Sequence, residues 1–195
     1  MPTTPIRYAS QAGFYSSPGS AGWEGASNAN ALGGGVATII GGQLTAGATS
    51  RRLRVYNFPD FATDIPDGAT INGIEVILSG FTLSGMDAFI STVQLEKAGV
   101  AVGSNLAIAP YQYSSAGGTS KTYGGVSVLW GTTWDKADLT NAGFGVVIRV
   151  TNPNDESDIG NSISVDAIGV RPTFTEAIVT QIVRRKMRHA HRVGV

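Results

Sequence analysis

Phe144-Gly-Val-Val-Ile-Arg-Val150 is the stretch that decides the fold class of this chain. Phe144, Val146, Ile148 and Val150 recur at every second residue, so an extended backbone turns all four toward one core-facing side. The same alternation recurs elsewhere. In 51–58, Leu53 and Val55 alternate with Arg54 and Tyr56; in 69–79, Ile74, Val76 and Leu78 share a face. Residues 90–97, 126–130 and 163–170 carry further period-two segments, and a first strand is expected near 36–40.

Turn formers separate these segments. Ile65-Pro-Asp-Gly68 reads as a turn, because Pro presets φ and Asp-Gly supplies the bend. Ser114-Ser-Ala-Gly-Gly118 and Asn152-Pro-Asn-Asp155 read the same way. Helical periodicity is nearly absent, apart from one short turn expected at 134–140 with Asp135 as its cap. Strands divided by turns predict an all-β chain, an antiparallel β-sandwich rather than a βαβ fold. The expected organisation is an extended N-terminal arm with the first strand (1–50), the sandwich (51–172) and a basic C-terminal extension (173–195).

Composition agrees with that class. The chain has 195 residues, 26 of them Gly, with 42% hydrophobic and 14% charged residues. That is enough apolar material for a core and too much for disorder. With no Cys, neither disulfides nor thiolate metal sites are available. No apolar run approaches the roughly 18 residues of a membrane span. Met1-Pro-Thr-Thr-Pro5 lacks the pattern of a secretory signal, so cytoplasmic synthesis is expected.

Several pieces resemble, in order and spacing, a jelly-roll-like module of structural proteins in tailed bacteriophages and prophages. They are Ile65-Pro-Asp-Gly-Ala-Thr-Ile-Asn-Gly-Ile-Glu-Val76, Val93-Gln-Leu-Glu-Lys97 with Gly103, Tyr123-Gly-Gly125 leading to Trp130-Gly131 and Trp134, Phe144-Gly-Val146, and Val165-Asp-Ala167. They span about residues 50–170. The resemblance implies a virion component without enzymatic activity. An extension at each end suits an adaptor anchored to neighbouring subunits, so a peripheral tail, neck or fibre-attachment protein is expected, with head decoration as the alternative.

Catalytic constellations are scarce. His189 and His191 are the only histidines, both near the C-terminus, so a Ser-His-Asp site would need the tail folded back. No nucleophile elbow or phosphate loop is present. No cofactor and no catalytic residue is expected. Asn152, Asn154, Asp155 and Asp158 form the densest oxygen cluster and are a weak Ca²⁺ candidate, since that ion takes about six to eight oxygen ligands; a polar hairpin tip is the preferred reading. Asp60, Asp64 and Asp67 read as solvated loop charges rather than a glycosidase pair. Asp166 is either an acid paired with Arg149 or an outward-facing residue. Tyr111, Tyr113 and Tyr123 flank a Ser/Gly loop that would suit a host-glycan adhesin, the rival to a purely structural role. Trp23, Trp130 and Trp134 could add a stacking platform, but packing is the preferred assignment for Trp130 and Trp134.

Charge is unevenly placed. Residues 1–183 hold nine Lys and Arg against fourteen Asp and Glu, while the last twelve residues hold five basic side chains and no acid. From Thr175 onward Ile178, Val179, Ile182, Val183, Met187 and Ala190 recur at spacings of three and four. Arg184, Arg188 and Arg192 repeat on the other side, with Arg185 beside them. This predicts an amphipathic basic helix capped by Thr175, with an extended strand as the alternative. Ile178, Ile182, Val183 and Met187 would dock on a neighbouring virion protein while the arginines meet its acids, in a homo-oligomer. Packaged nucleic acid is the alternative partner. The face lacks the aromatic anchors of a membrane-binding helix.

Overall fold

The computed structural model describes residues 1–15, 21–39, 44–83, 88–107, 119–152 and 163–177. Within them, two antiparallel sheets share one apolar core, the arrangement of an all-β sandwich. The strands are β1 (Arg7–Tyr8), β2 (Gln11–Phe14), β3 (Ala37–Ile39), β4 (Leu53–Tyr56), β5 (Thr70–Leu83), β6 (Phe89–Lys97), β7 (Val100–Val102), β8 (Thr119–Gly125), β9 (Gly145–Thr151), β10 (Ile163–Val165) and β11 (Ala167–Thr175). Two short helices, α1 (Phe61–Asp64) and α2 (Lys136–Thr140), lie between strands.

In the first sheet β10 and β11 pair in succession along one side of β5, β8 takes the other side, and β3 and β1 add outside β10 and β11. The second sheet runs β2-β4-β9-β6-β7. Among the described strands, successive ones lie in different sheets except β6–β7 and β10–β11. Leu53, Val55, Val93, Leu95, Val146, Ile148 and Val150 from the second sheet meet Ile74, Val76, Leu78, Ile168 and Val170 from the first, all fully buried. Phe58 stacks on Phe61, and both meet the ring of Phe144 edge-on at one end of this core.

Both long strands break the alternation once. Leu78 and Phe81 are both buried although three residues apart, and the β5–β8 register shifts between them. Ile90 and Val93 repeat this on β6, with a shift between Ile90 and Thr92. An inserted residue changes which face follows, so each bulge keeps the apolar side chains pointing inward.

The structure corrects four expectations. Residues 126–130 are not a strand; β8 ends at Gly125 and the chain turns, with the Val128 N–H on the Gly125 carbonyl. The expected strand at 163–170 is two, β10 and β11, interrupted at Asp166. The described residues of the first fifty are more than an extended arm. They supply β1, β2 and β3, and Trp23, Ala29, Ala37 and Leu44 are buried in the common core. Paired with them, β4 and β11 no longer present bare edges whose polar groups lack partners. Finally, the sandwich extends to Thr175 rather than 172: Phe174 is buried and Thr175 pairs with Thr70, so Thr175 closes a strand. The predicted turn at 134–140 does form as α2. Asp135 caps it, accepting from the Asp138 N–H while the Asp138 carboxylate accepts from the Asp135 N–H.

Candidate functional site

The outer face of the second sheet holds a closed polar cluster. Glu96 on β6 is only 1% exposed, although it lies on the side facing away from the core. Its partner across the ladder is Gly145, and a Cβ there would stand 3.0 Å from Glu96 Oε2 and 2.7 Å from the Val55 carbonyl. The glycine thus leaves room for the carboxylate. Glu96 Oε2 accepts from Nε of Arg54 on β4, and Oε1 accepts from the Tyr15 hydroxyl at 2.7 Å. The Arg54 guanidinium also lies over the Tyr56 ring, 3.9 Å from its centroid, and donates to the Gly143 carbonyl at 3.2 Å. Burial raises the pKa of the Tyr15 phenol; Glu96 adds to the rise, and the charges of Arg54 and Arg52 oppose it. The phenol therefore stays protonated and donating. Both carboxylate oxygens are occupied and solvent is nearly excluded, so the cluster serves as a cross-strand tie and offers a substrate no approach. A glycine inside an apolar strand was the sequence signal for this close approach.

Beyond Arg54 the same face carries Arg52 and, on β9, Arg149. The Arg149 Nε donates to the Ser50 carbonyl at 2.9 Å. Burial lowers the pKa of its guanidinium, and the neighbouring charge of Arg52 adds to that effect. Neither arginine has a carboxylate partner among the described residues.

A depression of about 350 Å³ opens beside β8, lined by Leu106, Lys121, Thr122, Tyr123, Gly124 and Val128. Among the described residues its lining is largely apolar, with Lys121 the one charged group. Tyr123 faces inward and is only 4% exposed, which removes it from an exposed sugar-binding platform. Tyr111 and Tyr113 lie outside the described residues.

The other sequence candidates resolve as follows. Trp23, Trp130 and Trp134 are buried, each indole N–H donating to a backbone carbonyl at 2.9 Å (those of Arg51, Ile74 and Leu129), so they pack and provide no stacking surface. Asp60 and Asp64 hold Arg7, the latter through two hydrogen bonds at 2.6 and 2.7 Å, and Asp67 holds Lys136 at 2.7 Å. Asp67 is 98% exposed and Asp60 about half exposed, so both are solvated loop charges as expected, whereas Asp64 is largely buried against Arg7. Asp166 does not meet Arg149; it accepts the Gly33 N–H at 3.0 Å and so pins the Gly33–Gly35 turn. Asn152 is fully buried and donates its side-chain amide to the Leu44 carbonyl, a tie between loops rather than a ligand at a hairpin tip. Asn154, Asp155 and Asp158 lie outside the described residues, as do Ile178, Ile182, Val183, Met187, Arg184, Arg185, Arg188 and Arg192. Among the described residues no group of His, Asp and Glu gathers to hold a metal, and no helix is long and apolar enough to cross a membrane. No family model matches this chain, and neither a curated protein nor a solved structure matches it.

Proposed function

We propose that this chain is a non-enzymatic structural protein of a bacteriophage virion, a sandwich that assembles with neighbouring subunits at the tail, the neck or a fibre attachment point. The observation that carries the structural role is how charge is spent. Arg7, Arg54, Lys97, Lys136 and Arg171 each grip a carboxylate from a distant part of the chain, so the ion pairs tie strands, short helices and a turn to one another. Connections that alternate between the two sheets support the jelly-roll-like reading of the topology. The virion assignment rests on the resemblance of residues 50–170 to phage structural modules. Anchoring falls to the basic tail after Ala177, whose arginines would meet an acidic neighbour.

The test is the position of a tagged copy in purified particles, imaged by electron microscopy. Label at the neck or tail supports the reading, label over the head makes the protein a decoration subunit, and particles without label remove the virion role.

A further inference from the structure

Residues 1–15 form a strap along one side of the sandwich. β1 closes the edge of β11 and β2 closes the edge of β4, so one short segment belongs to both sheets. Its ties are polar. Arg7 holds Asp60 and Asp64, the Tyr15 hydroxyl holds Glu96, and the N–H groups of Thr4, Ser10 and Tyr15 donate to the carbonyls of Pro172, Asn57 and Arg52. Its apolar contribution is small: Ala9 is the strap's one buried hydrophobic residue. Met1, Ile6 and Phe14 stand 74%, 37% and 42% exposed, three of the seven large exposed hydrophobics among the described residues.

We infer that this strap is exchanged between copies, residues 1–15 of one chain pairing with the β11 and β4 edges of a second. Every hydrogen bond and ion pair of the docked strap can form between chains as well as within one. The balance is therefore set by local concentration and by the stretch joining strap to body. An element with few buried apolar contacts is the part of a fold that opens at lowest cost. Once it opens, β4 and β11 expose unpaired backbone groups that can take up the strap of another chain. Tyr15 and Ala21 are six residues apart, a reach of at most about 20 Å, so the acceptor must be an adjoining copy. This exchange gives the assembly proposed above its self-contact, and it can fail without the virion assignment failing.

The chain has no cysteine, so single thiols report the pairing cleanly. Gln11 and Tyr56 are directly opposed across β2–β4, and Thr3 faces Thr173 on the other edge. Gln11→Cys in a size-tagged chain, mixed with untagged Tyr56→Cys at high concentration and slowly oxidised, should yield the mixed disulfide of combined mass. Thr3→Cys with Thr173→Cys should do the same. The double variant Gln11→Cys/Tyr56→Cys serves as the folding control, since it can close within one chain. Intramolecular closure there, with no mixed product from either pair of single variants, overturns the exchange.

Discussion

The indole Nε1 of Trp130 donates a 2.9 Å hydrogen bond to the carbonyl of Ile74, joining residues 56 positions apart. Trp130 sits at φ 59°, in the left-handed region, and its own carbonyl accepts from the Ser104 N–H at 2.6 Å. Gly124, at φ 80°, passes beneath: a Cβ there would stand 2.2 Å from the Ile74 carbonyl oxygen and 2.9 Å from the indole nitrogen. At Gly103 a Cβ would stand 2.0 Å from the Trp130 carbonyl. Pieces far apart in sequence (Ile74, Gly103, Gly124 and Trp130) therefore converge on one packed knot, which explains why small residues recur around the tryptophan.

Trp130→Phe keeps much of the ring but leaves the buried Ile74 carbonyl without its donor. An unsatisfied buried acceptor costs about 1–3 kcal/mol, with lost packing in addition. Urea unfolding should show a lower midpoint at unchanged slope. A midpoint equal to that of the parent would show that the knot does not bear on stability.

Glu96→Gln removes the charge facing Arg54 and leaves that guanidinium confined without its counter-ion. Breaking a buried pair from one side costs about 3–5 kcal/mol. Tyr15→Phe removes only the phenol donor to the same carboxylate, so the loss should be smaller, about 1.5–3 kcal/mol. The order of the two melting temperatures, Glu96→Gln below Tyr15→Phe, is the measurement that checks the cluster.

Alkaline pH should loosen the same region. Burial raises the phenol pKa values of Tyr15 and Tyr8; Glu96 adds to the first and Asp166 to the second, while a hydrogen bond from Ser79 opposes the latter. The folded state therefore holds these protons more tightly than the unfolded chain. That contribution is complete below the ordinary phenol value of about 10 and is lost as pH rises through the folded values. Stability measured between pH 9 and 11 should decline more gently for Tyr15→Phe than for the parent.

Arg52→Gln should stabilise the chain at low salt, because it removes a like charge beside Arg149. The gain should shrink as added salt screens the pair. Thermal melts at two ionic strengths decide it, and a loss of stability at low salt would show that Arg52 has an attractive partner.

Truncation after Ala177 leaves every described strand intact, so the product should fold like the parent but fail to enter particles. Truncation after Thr173 removes Phe174 from the core as well, a loss of about 3 kcal/mol or more. Circular dichroism and incorporation into particles separate the two effects.

Much of the sandwich was legible because its signal is local. Extended backbone sends alternate side chains to opposite faces, so the stripes through Val146, Ile148 and Val150 and through Ile74, Val76 and Leu78 announce β9 and β5 whatever their partners are. The turn at Pro66–Gly68 and the Asp135 cap were legible for the same reason, since each depends on a few neighbouring residues. The segment 126–130 misled because Val126, Val128 and Trp130 alternate like a strand. Their backbone is instead shaped by the Trp130–Ile74 bond, a contact that no window of neighbouring residues contains.

The sequence by itself determined the fold class, most strand positions and the uneven placement of charge, because these follow from backbone geometry and composition. Tertiary structure alone decided that the first fifteen residues are a strap shared by both sheets, and that Thr175 closes a strand. It also decided that Glu96 is a buried acid tied to Arg54 and Tyr15, and that Tyr123 faces the core. Each of these depends on which edges and faces distant segments meet. Which edges pair, and which polar side chains are buried between them, are properties of the packed whole, and local alternation does not specify them.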